Sequence, residues 1–425
     1  MLRVTTRTRA YPYLSRYVVI LTQTKLSTMP DAPELITWLG TAQPQPLSLT
    51  IALRRNWLPQ PDIVELDVCF RRDGQRIAIA IAGGCIYPDQ PVRLETVSVE
   101  KPWGREIWYS GIEARGESRV VATDGTRLPL SHYVASAPGL LTRDAPIVLL
   151  KVLDPRPEPV LGDLYFEVHE QKREVYVVTA VDPQAWPDGT GYIRYGMNQT
   201  IRAEYGNDEG FRSAYLDAVH AYERVRRAID AGGEASMKRL LRAENEARAE
   251  MERFTALRAL RVGDVVVVPT WLPHSLQHGV RVVEFQTPTY ERLVVSFAQE
   301  VLTQNHWDSE RAVAHMRLDA APSPAFERTD AGLERIVSFP DFGVLRATLD
   351  AGRTVNLPAS LPYAICCAVD APVRVGSLLL QPEEACLVPH SAMIGCAITS
   401  DSSEPSESAE EEQATAHCLI AAPDL

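Results

Sequence analysis

Apolar and polar side chains alternate with a period of two in short segments along most of this chain, and one long block interrupts the alternation. Residues 47–53, 63–70, 76–82 and 92–99 carry it first, separated by turn pairs such as Asp73-Gly74 and Gly83-Gly84. A strand sends successive side chains to opposite faces, so this period selects half-buried β structure. It continues over 106–112, 119–123, 147–153, 164–168 and 174–181, and resumes at 263–269, 280–286 and 292–297. Many short strands joined through Pro and Gly predict a mostly β fold of the sandwich or barrel kind.

The interruption spans 206–260. Phe211, Tyr215, Val219, Tyr222, Val225 and Ile229 recur at helical spacing behind Asn207 and Asp208, which suit a helix cap. Gly232-Gly233 ends that helix, and a second carries Met237, Leu240, Leu241, Met251, Phe254 and Leu257 on one stripe. The pattern predicts a helical hairpin inserted at about 206–258, its stripe used for packing. A short helix is expected at 308–317, a linker at 318–333 and a last β block at 335–398.

At 425 residues the chain is long enough for more than one domain. Its patterns divide it into an N-terminal extension (1–28), a β domain with the helical insertion (30–300), a smaller β domain (334–400) and an acidic tail (401–425). The extension carries Arg3, Arg7, Arg9, Arg16 and Lys25, with no acidic residue before Asp31. It is either a transit-type leader or a reading frame begun ahead of Met29. The run DSSEPSESAEEE at 401–412 is expected to be disordered or a long exposed loop.

Charge and cysteine content narrow the partners. The formal net charge of −12 argues against a general nucleic-acid binder, while leaving room for a local basic pocket. No run of 18 apolar residues is present, so no membrane-spanning helix is expected. Seven cysteines, an odd number without a C-x-x-C pair, suggest reduced thiols in a cytoplasmic setting. Cys366 and Cys367 read as small apolar residues of a buried strand. The sequence leaves the oligomeric state open.

The segment with most chemistry is 162–181, GDLYFEVHEQKREVYVVTAV. Alternation puts Tyr165, Glu167 and His169 on one face, a turn covers 170–173, and Glu174, Tyr176 and Val178 share a face of the next strand. Two carboxylates and an imidazole then converge, a donor set for zinc, iron, manganese or nickel. A charged solvent face would give the same pattern in this hairpin alone. A second segment, GDVVVVPTWLPHSLQHG at 263–279, adds His274 on a loop after a strand ended by Pro269.

The two segments resemble the two motifs of cupins. In the first, Glu167 stands where a histidine is usual. In the second, Gly263, Pro269 and His274 keep the spacing, while Trp271 replaces a glycine and His278 an asparagine. The resemblance implies a bicupin, two jelly-roll-like β-barrels, with Glu167, His169, Glu174 and His274 gathered on one metal ion. His278 is read as lying behind the ligands or at the surface. His306, His315, His390 and His417 lack partners of this kind.

A narrower likeness runs through KPWGREIWYSG (101–111), LLKVLDPRPEPV (149–160), the EVH segment and PHSLQHGVRVVEFQTPTYER (273–292). Over about 100–400 the chain is similar to type I mannose-6-phosphate isomerases. That family binds one zinc through Gln, His, Glu and His, which fall on Glu167, His169, Glu174 and His274. Glutamate thus replaces the family's Gln at 167, and the family's N-H-K-P-E segment is missing.

The resemblance implies a metal-dependent aldose–ketose isomerase acting on a sugar phosphate, with mannose 6-phosphate and fructose 6-phosphate as the expected pair. Arg292 falls near the family's catalytic arginine, as a stabiliser of the enediolate. Lys151 becomes the candidate for phosphate contact or proton transfer, and Glu284 with Gln286 for sugar hydroxyls. A surface lysine at 151, and a salt bridge from Glu284 to Arg281 or Arg292, are the plain alternatives. Two other functions fit the same motifs: another metal-dependent cupin enzyme, such as an oxygenase, and a non-catalytic sugar-binding cupin.

Overall fold

The computed structural model describes residues 15–21, 26–27, 33–41, 44–122, 124–232, 237–302, 304–329, 332–350, 352–401, 415–423 and 425. Apart from Asp401, the acidic run expected at 401–412 lies outside the described residues. The architecture is mostly β with a helical insertion, as the alternation predicts.

The first part of the chain forms its own sheet. Leu47–Arg55, Asp62–Asp73, Arg76–Ile81 and Gly84–Ile86 make an antiparallel meander. Ser15–Leu21, inside the segment read as an extension, runs parallel beside Leu47–Arg55. Leu49, Ile51 and Leu53 alternate inward with Leu66, Val68 and Phe70, as a one-sided sheet requires. Their core is shared with two short helices, Leu130–Ser136 and Pro138–Thr142, which the periodicity does not predict.

The segment 92–99, expected as one strand, is two. Val92–Glu95 pairs with Ala385–Pro389 in a nine-stranded sheet, whereas Val97–Lys101 pairs with Gly104–Trp108 in another sheet. Alternation reports which face a residue takes and carries no mark of the sheet it joins, so a crossing between sheets leaves no trace in it.

The sheet that receives Val97–Lys101 is six-stranded. Its order is Val265–Val268, Glu174–Val181, Val280–Gln286, Leu149–Pro155, Gly104–Trp108 and Val97–Lys101. A five-stranded sheet shares a core with it, in the order Thr255–Leu260, Gly191–Met197, His274–Leu276, Phe166–Val168 and Leu293–Ser296. Tyr176, Val178 and Val282 from one sheet meet Ile193, Leu276 and Val294 from the other. Among the described residues the strand order of neither sheet closes into a hydrogen-bonded ring.

The insertion is a helical hairpin, Asp208–Asp230 and Met237–Glu252. Asn207 caps the first helix by accepting the Gly210 N–H. Phe211, Tyr215, Val219 and Tyr222 pack with Met251 against Phe166, Val168 and Val295 of the five-stranded sheet. The second helix ends earlier than the stripe predicts. Thr255–Leu260 is a strand paired with Gly191–Met197, and Leu257 is exposed. Apolar residues at 254, 257 and 260 satisfy helical spacing by coincidence. Gly191–Met197 itself escaped the reading because Gly189, Gly191 and Gly196 dilute its strand character.

The last block builds a second pair of sheets. The nine-stranded sheet and a four-stranded one, Thr354–Asn356, Ala397–Ser400, Val373–Val375 and Leu378–Leu380, enclose a core of Leu345, Ala364, Val388, Ile398 and Ile420. Cys366 and Cys367 are buried as expected, on opposite faces of one strand and in different cores. Among the described residues no helix is long and apolar enough to cross a membrane.

Candidate metal centre

The site lies between the six- and five-stranded sheets. Glu167 and His274 are direct cross-strand partners in the five-stranded sheet, so residues 107 positions apart are neighbours by register. His169 follows at the end of the Phe166–Val168 strand, where its carbonyl accepts the Trp271 N–H at 2.7 Å. Trp271 has φ 64°, the left-handed region that favours glycine. The cupin-like spacing places a glycine there, and the chain keeps the backbone shape without the residue.

Donor atoms of Glu167, His169 and His274 all lie within 4.8 Å of one another. His169 Nε2 is 3.7 Å from Glu167 Oε1 and 3.3 Å from Glu174 Oε1. His274 Nδ1 is 3.0 Å from the Leu272 carbonyl, which fixes the ring with Nε2 toward the centre, 3.1 Å from Glu174 Oε2. Both His169 nitrogens and Glu167 Oε2 are buried without a hydrogen bond. Such orphaned donors are costly unless something else binds them, and a divalent cation fits this N/O set. Glu174 stands beside the three with its oxygens already engaged. Lys172 Nζ is 2.7 Å from Oε1, and the Tyr176 hydroxyl donates to Oε2 at 2.5 Å.

Electrostatics favour the ligating forms of His169, Glu167 and Glu174 and hold the proton on His274 more firmly. Burial pushes the His169 imidazole below its ordinary value of 6.5, and Lys172 adds to this, so the ring is neutral at pH 7. Burial would lift Glu167, but His169 and Arg292 bring it below the usual carboxylate range. Burial also opposes charge on Glu174, yet Lys172 and His169 hold it well below that range. Burial lowers His274, and the bond to Glu174 outweighs it and raises the ring's pKa.

The other predicted residues line the same interior. Lys151 and Glu284 are opposite each other in register, and Glu284 is opposite Tyr176, so one row crosses the six-stranded sheet. Lys151 is buried rather than a surface lysine, and its Nζ is 3.2 Å from Glu284 Oε2. Glu284 therefore pairs with neither arginine considered for it: Arg281 binds Asp154 and Glu383 instead. Gln286 lies in the next row, across from Glu174. Arg292 stacks over the Tyr165 ring at 4.0 Å and comes within 3.9 Å of Glu167 Oε2. His278 is apart from the donors, bound to Asp163 at 2.7 Å and stacked on Trp186. His315 Nδ1–H donates to the Arg311 carbonyl at 2.9 Å on an exposed helix end.

Two partners are not predicted by the sequence pattern. Lys172 belongs to the turn but reaches Glu174, and the K-x-E spacing is the signal for it. Glu106 sits in the 101–111 segment, buried between Lys101 and Lys151, and nothing local marks it.

Neither a protein-family model nor a curated protein sequence matches this chain. Solved structures do. Mannose 6-phosphate isomerase from Bacillus subtilis superposes with a TM-score of 0.53 at 13% identity, covering 78% of this chain and 99% of that one. A zinc-bound mannose 6-phosphate isomerase gives 0.56 at 13% identity over 79% and 100%. A mutant of phosphomannose isomerase from Salmonella typhimurium gives 0.56 at 12% identity over the same shares. The chain therefore has the overall fold of these isomerase structures, at an identity too low to carry more than the fold.

Proposed function

We propose that the protein is a metal-dependent aldose–ketose isomerase of sugar phosphates, with mannose 6-phosphate and fructose 6-phosphate as the leading pair. The observation that carries this reading is the buried cluster of Glu167, His169 and His274, in which Glu167 Oε2 and both His169 nitrogens lack a hydrogen bond, with Lys151, Glu284 and Arg292 in the same interior. Glu167, His169 and His274 would hold a divalent ion, zinc by preference for the imidazoles, with Glu174 beside them. Bound there, the ion would polarise sugar oxygens.

The chain's own groups supply the rest. Isomerisation moves a proton between adjacent carbons, and needs a proton carrier and a cation beside the developing oxyanion. Burial pushes the Glu284 carboxyl well above the usual range, despite Lys151, which suits it to carry a proton. Arg292 stays charged and offers the cation. Lys101, Lys151, Lys172 and Arg292 stand among Glu106, Glu167, Glu174 and Glu284 in this interior. A bound divalent ion would add positive charge there, which suits an anionic phosphorylated sugar.

The test is metal-reconstituted protein incubated with mannose 6-phosphate and analysed for fructose 6-phosphate. Interconversion is expected. Its absence in protein holding one equivalent of metal would reject the reading.

A further inference from the structure

The Gly104–Trp108 strand belongs to the six-stranded sheet, and the proposed proton transfer gives neither Glu106 nor Trp108 a part. Glu106 is buried on the Gly104–Trp108 strand, next to the strand that carries Lys151. Its Oε1 lies 3.2 Å from Lys101 Nζ and 3.8 Å from Lys151 Nζ. Its Oε2 accepts the Trp108 indole N–H at 2.8 Å. On the other side, Lys151 Nζ is 3.2 Å from Glu284 Oε2. One ammonium thus sits between two carboxylates from the strands on either side of its own.

The arrangement differs from a simple ion pair. The indole fixes the plane of the carboxylate, and Lys101 offsets its remaining charge. A lysine on its own is a flexible point charge on a four-carbon stem, and a donor that wanders loses most of its value in a reaction. We propose that Glu106 is the positioning residue for Lys151, holding its ammonium against Glu284 on the interior face that meets the substrate. The inference rests on the proposed function, in which Lys151 faces the sugar phosphate. Glu106 can serve because it stays ionised: burial opposes this, but Lys151 and Lys101 bring its carboxyl down to about 2.

The charged groups that face Lys151 are Glu106 and Glu284 from the flanking strands and Glu174 from the strand beyond, with Lys101 and Lys172 as the nearby cations. The test compares wild type, E106Q, E106D and the double variant K101M/E106Q. The double variant removes a cation with the anion, so it probes the same contact if E106Q fails to fold. The first readout is acylation of Lys151 by acetic anhydride at rising alkaline pH, quantified by peptide mass spectrometry, which needs no enzymatic activity. Removing Glu106 should move the Lys151 midpoint down by about one pH unit or more, and E106D should restore it. The second readout is turnover of mannose 6-phosphate, where kcat should fall about 10–100-fold with a smaller change in KM. A wild-type acylation profile in both E106Q and the double variant overturns the proposal, as does unchanged kcat in E106Q. A shifted profile in a protein whose wild type turns over no sugar phosphate supports the positioning by Glu106 and rejects the isomerase reading instead.

Discussion

Replacing His274 with alanine removes the donor that the distant 263–279 segment brings to the centre. The ring makes two bonds that must be lost, Nδ1 to the Leu272 carbonyl at 3.0 Å and Nε2 to Glu174 Oε2 at 3.1 Å. Mutating groups that merely support a ligand lowers metal affinity by about 10–100-fold, so losing a ligand should cost about 100-fold at least. That is about 2.7 kcal/mol of binding free energy. At a free metal concentration about 100 times the wild-type Kd, wild type gains about 2.7 kcal/mol of stability and the variant about 0.4 kcal/mol. The metal-dependent rise in Tm should therefore shrink from about 5–10 °C to about 1 °C, taking about 2–4 °C per kcal/mol for a large domain. Thermal unfolding with and without added zinc reads this difference, and elemental analysis after dialysis reads retained metal. A variant that keeps one equivalent of metal and the wild-type rise in Tm would refute the assigned centre.

Three further outcomes follow from the geometry. In metal-free protein, the pKa of His274 is raised above 6.5 and that of Glu174 is depressed below 4.5. The raised histidine contributes stability that is complete below 6.5 and is lost as pH rises through its folded value. The depressed carboxylate contributes stability that is present above 4.5 and is lost as pH falls through its folded value. The pair should thus support the metal-free protein best between those limits. Metal uptake, which must expel the His274 proton, should strengthen as pH rises above them; calorimetry in two buffers would show the released proton, and an affinity flat across neutral pH contradicts the assignment. Tyr222→Phe should cost about 1–3 kcal/mol in denaturant unfolding, because its hydroxyl bonds the buried Glu244 carboxylate at 3.0 Å, while metal content stays unchanged.

The local level of this protein is written plainly in its sequence. Period-two alternation gives the Glu174–Val181 and Val280–Gln286 strands to the residue, and it puts Glu174 with Tyr176, and Glu284 with Gln286, on shared faces. The helical block and its Asn207 cap are equally local. Errors cluster where one pattern has two readings, as at 254–260, or where glycines thin the signal, as at 191–197.

What the residues fixed by themselves is which side chains point together within one hairpin, since strand pleat is a property of the nearest neighbours along the chain. Only the folded sheets decided which hairpins meet. The pairing of Glu167 with His274, of Lys151 with Glu284, and the reach of Glu106 to Lys151 all join residues between 45 and 133 positions apart, through register between strands. Register depends on how whole faces bury against one another, and the same alternation would permit several slips and several sheets. The chemistry of each group was legible in the chain; its partner was set by the packing.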